Sequence, residues 1–406
     1  MSGTSPSLGP RFGIQNDTSM TAFEIPCWLI YDGGMFLKSS FFIFFYLSST
    51  WSSAAQGTEE SPFEVVKSFD GFPMNMVLEL PQGVGADDVK RIIVFAHGSG
   101  PQNADGDLSS VSFPAGTENL IYKDIARAIR VEGFATLRFN KRSFQVRETI
   151  GKNPNYMNSK EFKLFAKNPL GHFIKDLKFF VQEARRRFKK AKVFILGHSQ
   201  GTSLALYVGS ELSFISGAAL MGFSNEKVPT LVYEQTVHRA YRTYFRALDL
   251  NHDLVIDKAE LSTGDDLATA LKAQLKILDL DQDSSVSLSE YNAGNYSNLM
   301  LMDAFYDKGM MMEEVSRPRP SKLVKDANYK ILFLQGELDN QTPAFHTKAV
   351  QIVNTNVWKK ENLRFVYFPS AGHALDPKEE YGDLLFRKIP SATLKRIANE
   401  LDEFFD

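Results

Sequence analysis

One stretch constrains this chain more than any other: Lys192–Gly209, KVFILGHSQGTSLALYVG. The apolar run Val193-Phe194-Ile195-Leu196 reads as a buried parallel strand that stops at Gly197. Gly197-His198-Ser199-Gln200-Gly201 follows, and then Thr202–Val208, whose residues suit a buried helix. A strand that passes through G-x-S-x-G straight into a helix needs a very tight turn, which the two glycines allow. Such a turn lifts the Ser199 hydroxyl above the end of the sheet and leaves the Gln200 amide facing whatever approaches it. The pentapeptide alone recurs by chance about once in seven chains of this length. Its flanking elements and the partners of Ser199 therefore carry the argument.

An alternation of short strands and helices surrounds this stretch. Phe63–Phe69 and Met74–Leu80 read as a strand pair joined by the turn Asp70-Gly71-Phe72-Pro73. Arg91–Ala96 is a buried strand ending in His97-Gly98-Ser99-Gly100-Pro101, Leu120–Glu132 an amphipathic helix, and Ala135–Phe139 the next strand. Phe173–Phe188 has apolar residues at helical spacing and basic residues in its last turns, where they complement the helix dipole. After a strand near Ile215–Met221 the alternation stops, and residues 225–325 are helix-rich. It resumes with Tyr329–Leu334, a helix near Phe345–Asn354, the strand Leu363–Phe368 and a terminal helix Thr393–Phe405. The pattern implies an α/β fold: a mostly parallel sheet covered by helices on both faces, interrupted after its sixth strand by a helical cap. At 406 residues, 43% apolar and 23% charged, the chain has ample core for this. A net charge of −2 argues against nucleic acid or an anionic membrane surface as its main partner.

The first residues read as targeting rather than fold. Met35-Phe36-Leu37-Lys38 is a positive start, Phe41–Trp51 an apolar centre, and Ser53-Ala54-Ala55 has the small residues of a cleavage site before Gln56. Residues 35–55 thus have the form of a secretory signal peptide, and 1–34 that of an upstream extension. An uncleaved membrane anchor is the competing reading, although Ser39–Gly57 is barely long enough to span a bilayer. The single cysteine, Cys27, lies upstream of this segment, so the exported chain has no disulfide.

A nucleophilic Ser199 needs a base and an orienting acid; in a fold that sets its serine on such a strand-to-helix turn, they follow in the chain order serine, acid, histidine, each on a loop after a strand. Of seven histidines, only His346 and His373 follow such an acid. His373 lies in Ser370-Ala371-Gly372-His373-Ala374, directly after a strand, whereas His346 falls inside a helix beginning near Pro343 and reads as structural. Asp339, in Gly336-Glu337-Leu338-Asp339-Asn340-Gln341-Thr342-Pro343, is the acid candidate, with Glu337 as the alternative.

The segments HGSGP, GHSQG, GELDNQTP and SAGHA, in this order, resemble the α/β-hydrolase superfamily in its esterase and serine-aminopeptidase-like branches. The resemblance covers about residues 62–224 and 326–406. It implies that fold and a Ser199–His373–Asp339 triad, because the aspartate of a G-x-x-D-x-x-[TV]-P segment is the triad acid there. It also implies that Ser99, the residue after His-Gly, supplies an oxyanion amide beside that of Gln200. His97 and His198 are then packing residues and not catalysts.

Two loops in 225–325 are unlike the rest of the chain. Asp249, Asn251, Asp253, Asp257 and Glu260 place side-chain oxygens at positions 1, 3, 5, 9 and 12 of a twelve-residue loop, and Val255 adds a backbone carbonyl at position 7. Asp279, Asp281, Asp283, Ser287 and Glu290, with the carbonyl of Ser285, repeat the pattern thirty residues later. Calcium takes six to eight oxygens in a small volume, so both loops resemble EF-hand loops. Ile256 and Val286, at position 8, are placed to pair them. Position 6, glycine in such loops, is Leu254 in one and Ser284 in the other, which forces a side chain into positive φ and weakens the expected affinity. A solvated acidic turn without metal is the bland alternative.

Together these features imply an exported serine esterase with a small-molecule acyl ester substrate and a calcium-braced cap. A peptidase or amidase using the same triad is the enzymatic rival. A non-catalytic calcium-binding interaction protein on a hydrolase scaffold is the rival of another class.

Overall fold

The computed structural model describes residues 63–262, 266–301, 310–381, 383 and 385–406. The expected signal peptide at 35–55, the segment before it and Cys27 lie outside the described residues. No helix among the described residues is long and apolar enough to cross a membrane.

The strands, in chain order, are β1 (Glu64–Lys67), β2 (Pro73–Glu79), β3 (Arg91–Ala96), β4 (Phe134–Phe139), β5 (Lys192–His198), β6 (Ile215–Met221), β7 (Val255–Ile256), β8 (Val286–Ser287), β9 (Lys330–Gly336) and β10 (Leu363–Phe368). Eight of them form one sheet in the order β1-β2-β4-β3-β5-β6-β9-β10. Only β2 runs antiparallel to its neighbours; β3, β4, β5, β6, β9 and β10 pair in parallel. This is a mostly parallel sheet covered by helices on both faces. The inner strands are apolar on both faces because both faces are covered. One face packs under the helices Pro169–Arg187 and Gln200–Glu211, the other under Ile121–Val131 and Ser391–Phe405. On β5, Ile195 faces the first layer while Phe194 turns to the second and stacks on Phe405 at 4.4 Å. A fully buried phenylalanine of this kind contributes about 2–3 kcal/mol.

Element ends shift where side chains intervene. The first strand ends at Lys67, two residues early, because Ser68 turns the chain: its amide donates to Phe72 O and its hydroxyl to Asp176. The helix expected from Phe173 starts at Pro169, where Asn168 accepts from the Gly171 amide and proline occupies the first turn. Arg138, inside β4, is buried and neutralised by Glu79 at 2.9 Å and by Asp105.

After β6 the chain leaves the sheet and returns at β9. The intervening segment has a separate core of Phe245, Leu248, Ile256, Leu261, Ala268, Leu271, Leu278 and Val286. At its centre β7 and β8 form a two-stranded antiparallel ladder in which Ile256 lies opposite Val286. This segment meets the sheet domain at several points, and its Leu323 and Val324 join the core on one face of the sheet. Gln235 donates to Gln341 O at 2.7 Å, and Glu313 accepts from the Gly171 amide at 2.8 Å; within the segment, the buried Glu314 accepts from the Val228 amide at 2.9 Å.

Candidate active site

β3 is flanked by β4 on one side and β5 on the other, so the chain crosses in opposite directions from it. Loops after such a switch point open a crevice at the carboxyl ends of the strands. Ser199 stands there, between β5 and its helix, with φ 56° and ψ −121°. That conformation is strained for any residue with a side chain, and the surroundings hold it. The Ser199 amide donates to Met221 O on β6 at 2.9 Å. Both elbow glycines are required by close approach: a Cβ on Gly197 would lie 2.3 Å from Gly201 O, and one on Gly201 would lie 2.1 Å from Ala96 O.

His373 comes from the loop after β10 and Asp339 from the loop after β9. His373 Nδ1 lies 2.9 Å from Asp339 Oδ2, with both side chains buried. Nδ1–H donates to the carboxylate, which leaves Nε2 as the free basic nitrogen. The ring sits over Gly222, the residue after the Met221 that holds Ser199, and 4.8 Å from the His198 ring. Asp339 also accepts from the amides of Gln341 and Thr342, from Thr342 Oγ1 at 2.8 Å and from Gln335 Nε2. Burial alone would raise its carboxyl, but the facing imidazole and these donors outweigh burial and hold it below the ordinary carboxylate range. Glu337 turns outward to Lys348 at 2.8 Å, and His346 is buried in the helix after the acid loop. Of the two acids weighed, Asp339 is the one that faces the imidazole.

The expected oxyanion residues flank the serine. Gln200 opens the helix after it, and a Cβ on Gly98, just before the exposed Ser99, would lie 3.2 Å from Ser199 Cβ. The surrounding groups were not legible in the motifs. Tyr122 Oη accepts from the Gly98 amide at 3.1 Å, donates to Gln102 Oε1 at 2.7 Å and lies 3.2 Å from His198 Nδ1. His198 reaches the His373 carbonyl at 3.2 Å with its other nitrogen, and burial pushes its pKa down to about 3. It is a neutral spacer between the serine and histidine loops. His97 packs edge-on against Tyr122 and Phe139 and is likewise held neutral by burial, at about 3. Thr342 lay inside the quoted GELDNQTP segment; Tyr122 and Lys141 carried no local signal.

The two acidic loops have the shape that a cation would need. Position 6 adopts positive φ in both, 68° at Leu254 and 70° at Ser284, as do His252 and Gln282 at position 4. Asp249 accepts from the amides of Asp253 and Leu254, and Asp279 from those of Asp283 and Ser284. The carboxylates of Glu260 and Glu290 each reach back to the start of their loop, at Leu250 and Leu280. In the second loop, carboxylate oxygens of Asp279, Asp281 and Asp283 lie within 4.8 Å of one another. In the first, Asn251 Nδ2 donates to Asp253 Oδ2 at 3.0 Å, which keeps one fewer negative oxygen at the centre. Both donor sets fit a hard cation, the second better than the first.

No family model matches the chain, and no curated protein matches it. Solved structures to which it is similar include the esterase domain of a Rhodothermus marinus protein, at 14% identity over 85% of this chain and 99% of that one, with a TM-score of 0.44. An esterase of Pyrococcus furiosus is 13% identical over 87% of this chain and 96% of that one, with a TM-score of 0.46. Est1E from Butyrivibrio proteoclasticus is 13% identical over 84% and 96%, with a TM-score of 0.42.

Proposed function

We propose that this chain is an exported serine hydrolase that cleaves carboxylic esters through an acyl-Ser199 intermediate. The observation that carries the reading is the buried His373–Asp339 pair, 2.9 Å apart, beside a serine held in a strained strand-to-helix turn. Ser199 Oγ attacks the acyl carbonyl while His373 Nε2 takes its proton and later returns it to the leaving alcohol. Asp339 holds the imidazole tautomer and stabilises the imidazolium. The amides of Gln200 and Ser99 receive the oxyanion, and each such donor lowers the barrier by about 3 kcal/mol. Water then repeats the sequence to release the acid.

Asp249, Asn251, Asp253, Asp257 and Glu260 with the Val255 carbonyl, and Asp279, Asp281, Asp283, Ser287 and Glu290 with the Ser285 carbonyl, would hold calcium. Bound there, the ion supplies charge neutralisation that braces the cap, and it takes no part in acyl transfer. Export is supported by the signal-like segment at 35–55 and suits a compartment where calcium is abundant.

A fluorophosphonate probe tests the reading directly. It is expected to label the folded protein at Ser199 and not the Ser199→Ala variant; an unlabelled wild type refutes catalysis. Short p-nitrophenyl esters are expected to turn over faster than aminoacyl anilides, and the reverse order would make the chain a peptidase or amidase.

A further inference from the structure

Lys141, two residues beyond the end of β4 at Phe139, is buried to 3% exposure. Its Nζ donates to Gly98 O at 2.6 Å and to Gln200 Oε1 at 2.8 Å. The same nitrogen lies 4.4 Å from the centroid of the Phe173 ring, whose face favours a cation. No ion pair involving Lys141 forms among the described residues. A buried ammonium without a carboxylate is costly, and folding tolerates it only where other groups hold it. Burial pushes its pKa down to about 7. The ionisable neighbours are His97, held neutral, and the cations Arg138 and Arg142, each committed to carboxylates of its own.

Of the two oxygens that Lys141 holds, one belongs to Gly98, packed against the reactive serine, and the other to Gln200, the residue after it. Gly98 O is the carbonyl of the peptide whose N–H is that of Ser99. In a trans peptide the carbonyl and N–H point in opposite directions, so fixing one fixes the other. A cation on the carbonyl also draws electron density from the amide and makes its N–H a stronger donor. Gln200 carries the other oxyanion amide, and its side chain is tethered to the same ammonium. The Gly98 amide, on the other side of the same residue, is held by Tyr122. The loop is thereby clamped from both ends.

We propose that Lys141 is a positioning residue for the oxyanion site: one ammonium aligns and polarises the Ser99 amide through Gly98 O and anchors Gln200. The inference rests on the Ser199 hydrolase reading and deepens it. The cation's effect grows as charge develops on the acyl oxygen, so it acts on the transition state more than on bound ester.

Lys141→Met keeps the length of the side chain and removes the charge. It is expected to lower kcat for a p-nitrophenyl ester about ten- to hundredfold, less than losing an oxyanion donor outright, with KM and melting temperature little changed. The affinity of a trifluoromethyl ketone, which binds as an oxyanion, falls by the same factor, while that of the matching secondary alcohol does not. Lys141→Arg, which retains the charge, restores part of both. Should Lys141→Met not fold, Lys141→Gln carries the same measurements. A neutral variant with wild-type kcat and wild-type ketone affinity overturns the proposal, as does an equal loss of alcohol and ketone binding. A wild type that neither hydrolyses esters nor takes the fluorophosphonate defeats the hydrolase reading instead.

Discussion

Asp339 shows how closely one side chain is specified. Both of its oxygens are occupied, by His373, by two backbone amides, by the Thr342 hydroxyl and by the Gln335 amide. Asp339→Asn would place an NH2 among these donors and turn His373 to the tautomer that cannot accept the Ser199 proton. The expected result is a loss of about 10⁴ in kcat with little change in fold, measured by ester turnover beside circular dichroism. At this scale the sequence was legible where chemistry demands one residue type at one turn. Ser199 between two glycines, Asp339 after a strand and His373 after the next are of this kind. The residues around them were not legible. Tyr122 lies 76 positions from His198 and Lys141 lies 43 from Gly98, and only the packed sheet brings them together. A tyrosine in a helix and a lysine after a strand look ordinary until their neighbours are known.

Elements were legible when their apolar period was uninterrupted and less so where a polar side chain set their ends. β3 and β6 fall where the residue pattern places them, while β1 is cut short by Ser68 and the helix Pro169–Arg187 gains a turn through Asn168. The junction between the cap helices escaped notice because it rests on one buried acid. Glu314 accepts from the Val228 amide and has Lys227 and Arg317 near it, yet burial dominates and raises its pKa to about 7. Between the ordinary carboxyl value of 4.5 and about 7, the folded state holds a proton that the unfolded state has released. Stability from this group is therefore complete below the lower value and is lost as pH rises through the window. Glu314→Gln, neutral throughout, is expected to gain melting temperature relative to wild type between those values and to keep a constant advantage above them. Melting curves across the range check this, and parallel curves at every pH contradict it.

For the whole molecule, the order of elements was legible because each strand–helix unit declares itself in turn, and the interruption after β6 is where that rhythm fails. That the cap has an apolar core of its own was not legible, since it depends on which apolar residues meet. Phe245, Leu248, Ile256, Leu261, Ala268, Leu271, Leu278 and Val286 pack among themselves and form a cluster apart from the two layers that sandwich the sheet. A core of that size is marginal alone. The acidic loops at its centre add repulsion, because Asp279, Asp281 and Asp283 bring three carboxylates within 4.8 Å. A bound cation reverses that term, and stabilisation by a ligand grows with its concentration relative to Kd. Calcium should therefore raise the melting point of the cap more than that of the sheet domain. Scanning calorimetry of the full chain is expected to show one transition in excess calcium and two after chelation. In Glu290→Gln with Glu260→Gln, whose cap no longer responds to the ion, the earlier transition should persist even in excess calcium. The later transition, which belongs to the Ser199 domain, stays in place. A single transition that chelation does not move would show that the loops bear no ion and that the cap stands by packing alone.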